Sequence, residues 1–349
     1  MSLTVEIQKK LGSFQLDVQL DTDDHPLALL GASGCGKSLT LRCIAGTLTP
    51  DRGKIVLNGQ TLFDSAANIN LPPQKRRIGY LFQQYALFPT MTVRQNIASA
   101  VPDRKRRHEE TDRRLRQFRL EALADLRPYQ LSGGQQQRTA LARIFASDPH
   151  AILLDEPLSA LDSYLRYQME LELTETLEQF HGPALWVSHD RGEVFRNCKK
   201  VCILEHGHSQ GVFTLDELFH APGTEAAARL SGCKNYADAI PQGTSVYLPQ
   251  WGLNLDCQRP VPSEVRRIGL RAHHIHPDPH GFECRVLRVI EDVFSTIVLL
   301  LPVGSAADAP PLRMELDKAA WQAVPDHSTL SVSIEPDHIL LLQHEGGHI

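Results

Sequence analysis

The ten residues GASGCGKSLT, positions 31–40, restrict this chain more than any other stretch. Gly31, Gly34, Gly36, Lys37 and Ser38 fill the pattern G-x-x-x-x-G-K-[S/T]. Glycine reaches backbone angles closed to other residues. Successive N–H groups can therefore turn into one concavity, with no side chain blocking an incoming polyphosphate. The apolar LALL leads in and LRCIAG follows, so the run reads as strand, loop and helix. The positive end of that helix then points at the same concavity. These residues define an expected nucleotide site. Gly31, Ala32, Ser33, Gly34, Cys35 and Gly36 form the cradle, Lys37 meets the outer phosphates, and the Ser38 hydroxyl ligates Mg²⁺.

A second stretch agrees with the first. AILLDEP, positions 151–157, is an apolar strand that ends in two adjacent acids. Unpaired charge at the end of a buried strand is costly, and a metal ion with water removes that cost. Neighbouring strand residues point to opposite sides. Asp155 is therefore expected to face the metal, and Glu156 to face an attacking water as general base.

The rest of the chain supplies a setting for this chemistry. Val5, Ile7, Phe14, Leu16, Val18 and Leu20 alternate with polar residues, as antiparallel strands with one wet face do. After Leu27 the apolar runs become short and continuous (LALL, AILLD, ALWVSH, VCILEH), the pattern of strands buried on both faces. Leu165, Met169, Leu173 and Leu177 recur every four residues and predict a helix with a core-facing stripe. The arginine-rich RKRRHEETDRRLRQFRL, positions 104–120, carries its own compensating acids and predicts a solvated helix face.

The formal net charge of −5 gives no reason to expect nucleic acid as a partner. Seven cysteines, scattered and without a C-x-x-C pair, read as reduced and mostly buried thiols. The N-terminus lacks a basic start followed by an apolar block. The longest apolar run, VFSTIVLLLPV at 293–303, falls short of the ~20 residues that span a bilayer.

Four further motifs occur once each: FQQYALFP (82–89), LSGGQQQR (131–138), LSALD (158–162) and WVSHD (186–190). With the phosphate loop and AILLDEP, their order resembles that of the ATP-binding subunits of ABC transporters over roughly residues 1–235. The resemblance implies an α/β P-loop NTPase at 1–232. It would have a RecA-like core, an antiparallel β subdomain and a helical subdomain at about 84–145. It implies ATP as the nucleotide, Mg²⁺ as the ion, and ATP hydrolysis coupled to transport.

Residue by residue, Ser132, Gly133, Gly134 and Gln135 would close on the ATP held by a second copy. Gln83 would join Ser38 and Asp155 around Mg²⁺ and sense the attacking water. His189 would touch the γ-phosphate and orient Glu156. Phe14 is the candidate for stacking on adenine. The implied partners are a second ATPase subunit, a transmembrane permease met through residues 83–89, and, indirectly, an external substrate-binding protein. That arrangement puts the chain at the cytoplasmic face of the membrane.

From about residue 233 strand patterns take over, and this part resembles the small OB/TOBE-like β-barrel domain attached to importer ATPases. A weak internal repeat supports it. IGLRAHHI (268–275) and VSIEPDHI (332–339) align Ile268 with Val332, Leu270 with Ile334 and His274 with His338. The stretch from Leu57 to Pro89 resembles the molybdate and sulfate importers, with the sugar and polyamine importers next. Arg271, His273 and Lys318 are the charged groups that such a domain could turn to an oxyanion, but no small-residue anion nest accompanies them. A module without a ligand is the other reading of this domain. A soluble, non-transporting ABC ATPase would carry a long coiled-coil insertion or two cassettes, and neither is present.

Overall fold

The computed structural model describes residues 1–159, 161, 163–324 and 328–343. Ala160 and Asp162, which belong to the LSALD motif, lie outside the described residues. The chain separates into two compact units, Met1–Leu215 and Asp216–Ile349.

The first unit runs β1 (Leu3–Leu11), β2 (Phe14–Thr22), β3 (Leu27–Leu30), α1 (Lys37–Ala45), β4 (Arg52–Leu57), β5 (Gln60–Asp64), β6 (Ile69–Asn70) and α2 (Pro73–Arg76). It continues through β7 (Ile78–Leu81), α3 (Val93–Ala98), α4 (Arg107–Gln117), α5 (Gly133–Ala146), β8 (Ala151–Asp155) and α6 (Ser163–Glu178). It ends with β9 (Ala184–Val187), α7 (Arg191–Asn197), β10 (Lys200–Glu205) and β11 (His208–Thr214).

All eleven strands join one sheet, in the order β6-β5-β4-β1-β2-β11-β10-β3-β9-β8-β7. One half is parallel: β10, β3, β9, β8 and β7. Every residue of β3, β8 and β9 is buried, as the continuous apolar runs require. The other half, from β6 to β2, is antiparallel, and β1 and β2 alternate buried and open positions as their period of two demands. Leu29, Leu41, Ile44, Leu153, Leu185 and Val187 are fully buried in the core between them.

The carboxyl ends of β3, β7, β8 and β9 lie side by side, and their connections carry the motifs. This is where open α/β sheets hold ligands. In the helical stretch, the arginine-rich run supplies both partners of several ion pairs and one partner of another. Glu110 binds Arg113 and Arg114, and Asp112 binds Arg94. The Leu–Met stripe of α6 is core packing, with Met169, Leu173 and Leu177 buried.

The second unit contains α8 (Leu215–His220), α9 (Glu225–Leu230), β12 (Asn235–Asp238), β13 (Ile240–Gln242), β14 (Ser245–Leu248), β15 (Leu253–Asp256) and β16 (Val265–Leu270). It closes with β17 (Ile275–Glu291), β18 (Ser295–Pro302), β19 (Leu312–Asp317), α10 (Lys318–Gln322), β20 (Thr329–Ile334) and β21 (Ile339–Gln343). Its strands form three antiparallel sheets, β12-β16-β21, β13-β14-β15 and β19-β18-β17-β20, around one core built on Trp251, Val298, Leu300 and Val332. The expected small β fold is present as three short ladders, not one continuous ladder. The pairing of β17 with β20 is interrupted between Pro277 and Phe282, where the register shifts.

Residues 216–232, placed by sequence with the first domain, group with the second unit. The Arg271 guanidinium donates to the carbonyls of Ser231 (2.6 Å) and Phe219 (2.7 Å), tying that segment beneath β16. A buried arginine of this kind is invisible in a composition shift. The internal repeat has a physical counterpart. Each copy is a strand followed by a single 3₁₀ turn, Ala272–His274 and Pro336–His338. The matched His274 and His338 stack ring on ring, 3.7 Å apart and 22° from parallel. Burial, aided by His273 and His338, pushes the His274 imidazole down to about 4, so its own ring is neutral near pH 7.

All seven cysteines are free and buried. Burial pushes Cys198 and Cys202 up to about 12 and leaves them as thiols. Among the described residues, no helix is long and apolar enough to cross a membrane.

Candidate functional site

The phosphate loop leaves β3 at Leu30 and enters α1 at Lys37. Its glycines are there for two different reasons. Gly34 and Gly36 hold φ of 80° and 109°, in the left-handed region that favours glycine. Gly31 is constrained by space, because a Cβ there would sit 2.3 Å from the Leu204 carbonyl oxygen on β10. Gly31→Ala is therefore expected to push β3 and β10 apart. A thermal melt should show about 1–3 kcal/mol of lost stability, the usual cost of overpacking, and nucleotide affinity should fall with it.

The Lys37 side chain is buried, and its Nζ donates to the carbonyls of Gly31 (2.8 Å) and Ala32 (3.0 Å). With the Cys35 sulfur at 3.8 Å, the ammonium meets only uncharged backbone oxygens and a thiol among the described contacts, which suits a polyphosphate. Phe14, half-buried, packs behind the loop. A Cβ on Gly36 would lie 3.3 Å from its ring, and one on Gly207 3.2 Å.

At the end of β8 the two acids diverge as strand geometry requires. Asp155 accepts a hydrogen bond from the Ser38 hydroxyl (2.9 Å) on one oxygen and from the Tyr80 hydroxyl (2.9 Å) on the other. Burial and the Asp155 charge push the Tyr80 phenol far above its ordinary range, so it stays a donor. Ser38 and Asp155 offer the hard oxygens that Mg²⁺ takes, already within hydrogen-bond distance of each other.

Glu156 turns the other way. Its carboxylate accepts from the Gln83 amide (3.3 Å) and lies 3.6 Å from Nδ1 of His189. Gln83, expected among the metal ligands, directs its amide nitrogen to Glu156, while Ser38 and Asp155 meet without it. Glu156 also sits at φ 48°, a left-handed backbone that costs of order 1–2 kcal/mol for a non-glycine residue. Three bonds hold it there: its N–H donates to the Val187 carbonyl (3.0 Å), and its carbonyl accepts from the Ser159 hydroxyl (3.0 Å) and the Ser159 N–H (3.2 Å). His189 is two-thirds exposed, followed by Asp190, which caps α7 by accepting from the N–H groups of Gly192 and Glu193.

The signature stretch opens α5. Ser132 is the N-cap, its hydroxyl accepting from the Gln135 N–H while the Gln135 side chain accepts from the Ser132 N–H. Gly133 and Gly134 follow in the first turn. Among the described residues nothing near them requires glycine, since a Cβ would find ordinary contacts at 3.4 Å and 3.6 Å.

Between Gln83 and α5 the backbone is again strained. Tyr85 and Ala86, consecutive and neither of them glycine, hold φ of 57° and 45°. The Arg143 guanidinium, on α5, donates to the carbonyls of Ala86 (2.8 Å) and Tyr85 (3.2 Å) and lies over the Phe88 ring. Tyr80 and Arg143 belong to none of the motifs, and Ser159 lies within LSALD with no role evident from that motif. The only sequence trace of Tyr80 is a polar-tipped residue within an otherwise apolar strand, and only proximity in space reveals the others. Arg76 is a similar case. It is fully buried and donates to the carbonyls of Cys43 (2.9 Å) and Ile44 (2.7 Å) at the end of α1.

Comparison with known proteins decides the family. A family profile described as "ABC transporter" matches residues 15–159. The spermidine/putrescine import ATP-binding protein PotA of Oleidesulfovibrio alaskensis is 38% identical over 85% of this chain and 82% of its own length. The sulfate/thiosulfate import ATP-binding protein CysA of Synechocystis sp. is 33% identical over 90% of this chain and 86% of its own. This chain belongs to the ABC transporter family.

It is an ATP-binding, ATP-hydrolysing subunit of the importer type. The match to PotA of Nitratidesulfovibrio vulgaris, 42% identical, spans 61% of this chain and 58% of that protein. Other relatives bear the names of Fe(3+), molybdenum and trehalose/maltose import proteins. Among solved structures, the dimeric post-hydrolysis state of the ATP-binding cassette MJ0796 bound to ADP and Pi shares 28% identity at a TM-score of 0.52, over 62% of this chain and 99% of that one.

Proposed function

We propose that two copies of this chain close face to face on two MgATP and drive a separate membrane permease, at the cytoplasmic face of the membrane, in the uptake of an inorganic oxyanion, molybdate or sulfate. The observation that carries the catalytic part is the division of labour at the end of β8. Asp155 faces Ser38 of the phosphate loop, and Glu156 faces Gln83 and His189.

In that reading Lys37 leaves its loop carbonyls for the outer phosphates, while the amides of Gly34–Ser38 cradle them. Ser38, Asp155 and the amide oxygen of Gln83 would hold Mg²⁺. When bound there, the ion supplies positive charge against the charge that spreads over the transferring phosphoryl group. Glu156 takes the proton of the attacking water, Gln83 positions that water, and His189 keeps Glu156 oriented. The open N-terminus of α5, with Ser132, Gly133, Gly134 and Gln135, completes the partner copy's site. Phe14 stacks on adenine. ATP favours the closed pair over the open one, and that difference in affinity is the motive force. An external substrate-binding protein delivers the solute to the permease.

The Synechocystis relative named for sulfate/thiosulfate import, which aligns over 90% of the chain, supports an oxyanion solute. A second reading, a polyamine, is favoured by the Oleidesulfovibrio relative named for spermidine/putrescine import. Deleting the chain's gene and following uptake of labelled molybdate, sulfate and spermidine separates the two. Loss of oxyanion uptake with spermidine uptake intact is the expected result, and the reverse pattern overturns it.

A further inference from the structure

The segment after Gln83 is held in a conformation it would not keep alone. Tyr85 and Ala86 both occupy the left-handed region, where a Cβ crowds the following carbonyl. Two adjacent non-glycine residues stay there only when their surroundings impose it. Those surroundings are largely one helix, α5. Arg143 donates to both strained carbonyls, and its guanidinium lies 5.3 Å from the centre of the Phe88 ring. Gln137, fully buried on the same helix, accepts from the Tyr85 hydroxyl at 3.4 Å. The far end of the segment is pinned separately, by Asn96 exchanging hydrogen bonds with the backbone of Phe88. The near end is Gln83, in contact with Glu156. The helix that grips the strained loop thus begins at Ser132–Gly134.

We propose that Arg143 is a positioning residue for hydrolysis: it holds Tyr85 and Ala86 in left-handed backbone, so that Gln83 stays against Glu156 and moves with the signature helix. This rests on the reading of Gln83 and Glu156 given above. Arg143 touches neither nucleotide nor water in this role. It acts by making the start of α5 and the Gln83 loop one mechanical piece, so that displacing one displaces the other. Without the guanidinium fork, Tyr85 and Ala86 relax toward ordinary backbone angles and Gln83 is withdrawn.

The test uses glycine, which accepts the left-handed region freely. Full-length Arg143→Ala should lose about tenfold to 100-fold in kcat, the size expected of a small misplacement, while the KM for ATP stays within about threefold. Adding Ala86→Gly should restore much of the rate without restoring any contact. If Arg143→Ala fails to fold, Arg143→Lys serves in its place. Lysine keeps the charge but not the two-pronged donor, and its smaller loss should also be reversed by Ala86→Gly.

Parental kcat in Arg143→Ala overturns the proposal, and so does a double variant no faster than the single one. Glu156→Gln measured alongside separates the two levels. If it is inactive while Arg143→Ala is parental, only the role of Arg143 falls. If Glu156→Gln itself hydrolyses ATP normally, the catalytic reading falls first.

Discussion

Glu156→Gln is expected to bind MgATP like the parent, lose about 10²–10⁴-fold in hydrolysis, the range of a general base, and accumulate as a dimer when ATP is added. The amide keeps the shape of the carboxylate and can still meet the Gln83 side chain, so the site is not emptied or collapsed. What disappears is the ability to take a proton from water. The neighbours of Glu156 make the loss specific. Asp155 is occupied by Ser38 and Tyr80, Glu193, which lines the same pocket, is buried and accepts from the Ser188 hydroxyl, and Asp190 caps α7. Closure should survive, because ATP, not its hydrolysis, stabilises the closed pair. Phosphate release together with sedimentation in the presence of ATP reads both halves. Hydrolysis at the parental rate would remove Glu156 from the chemistry.

Lys37→Ala should act earlier, at binding. The ammonium is buried and rests on the Gly31 and Ala32 carbonyls, poised a short rotation from any phosphate in the loop. Losing a charged donor to phosphate costs about 1.5–3 kcal/mol, so ATP affinity should drop by roughly 10- to 150-fold. Hydrolysis would fall further, because the contact strengthens as charge builds on the leaving oxygens. Titration with a fluorescent ATP analogue measures the first effect and phosphate release the second. Lys37→Arg controls for charge, since its planar fork does not fit a pocket that ends on two carbonyls. Unchanged affinity in Lys37→Ala would mean that the loop amides alone hold the nucleotide.

These two residues were legible because their chemistry is local. A phosphate cradle needs small residues at fixed offsets, and Gly31 through Ser38 show them in the linear order. A strand that ends in two acids, AILLDEP, declares its divergence through a period of two. The same locality explains why β3, β8 and β9 read as buried and β1 and β2 as half-open. The repeat that paired His274 with His338 was visible as an alignment, although only the fold showed the two rings stacked.

What escaped sequence reasoning shares one cause. Tyr80 reaches Asp155 across 75 positions, Arg143 reaches Ala86 across 57, and Arg271 reaches Ser231 across 40. Tyr80 and Arg143 stand in no pattern, and Arg271, though inside IGLRAHHI, has nothing in its spacing that points to Ser231, because a hydrogen bond between distant segments imposes no spacing on either. The last of them ties residues 216–232 to the second unit. Gln83 illustrates the limit within a motif: its position was evident, but not that its amide nitrogen would meet Glu156.

By itself the sequence determined which groups this protein brings to a nucleotide, since residue type and short-range spacing fix what a loop or a strand end can do. Tertiary structure alone decided how those groups are held. Strained backbone at Glu156, Tyr85 and Ala86 persists only where packed neighbours outweigh its local cost, and those neighbours are chosen by the fold.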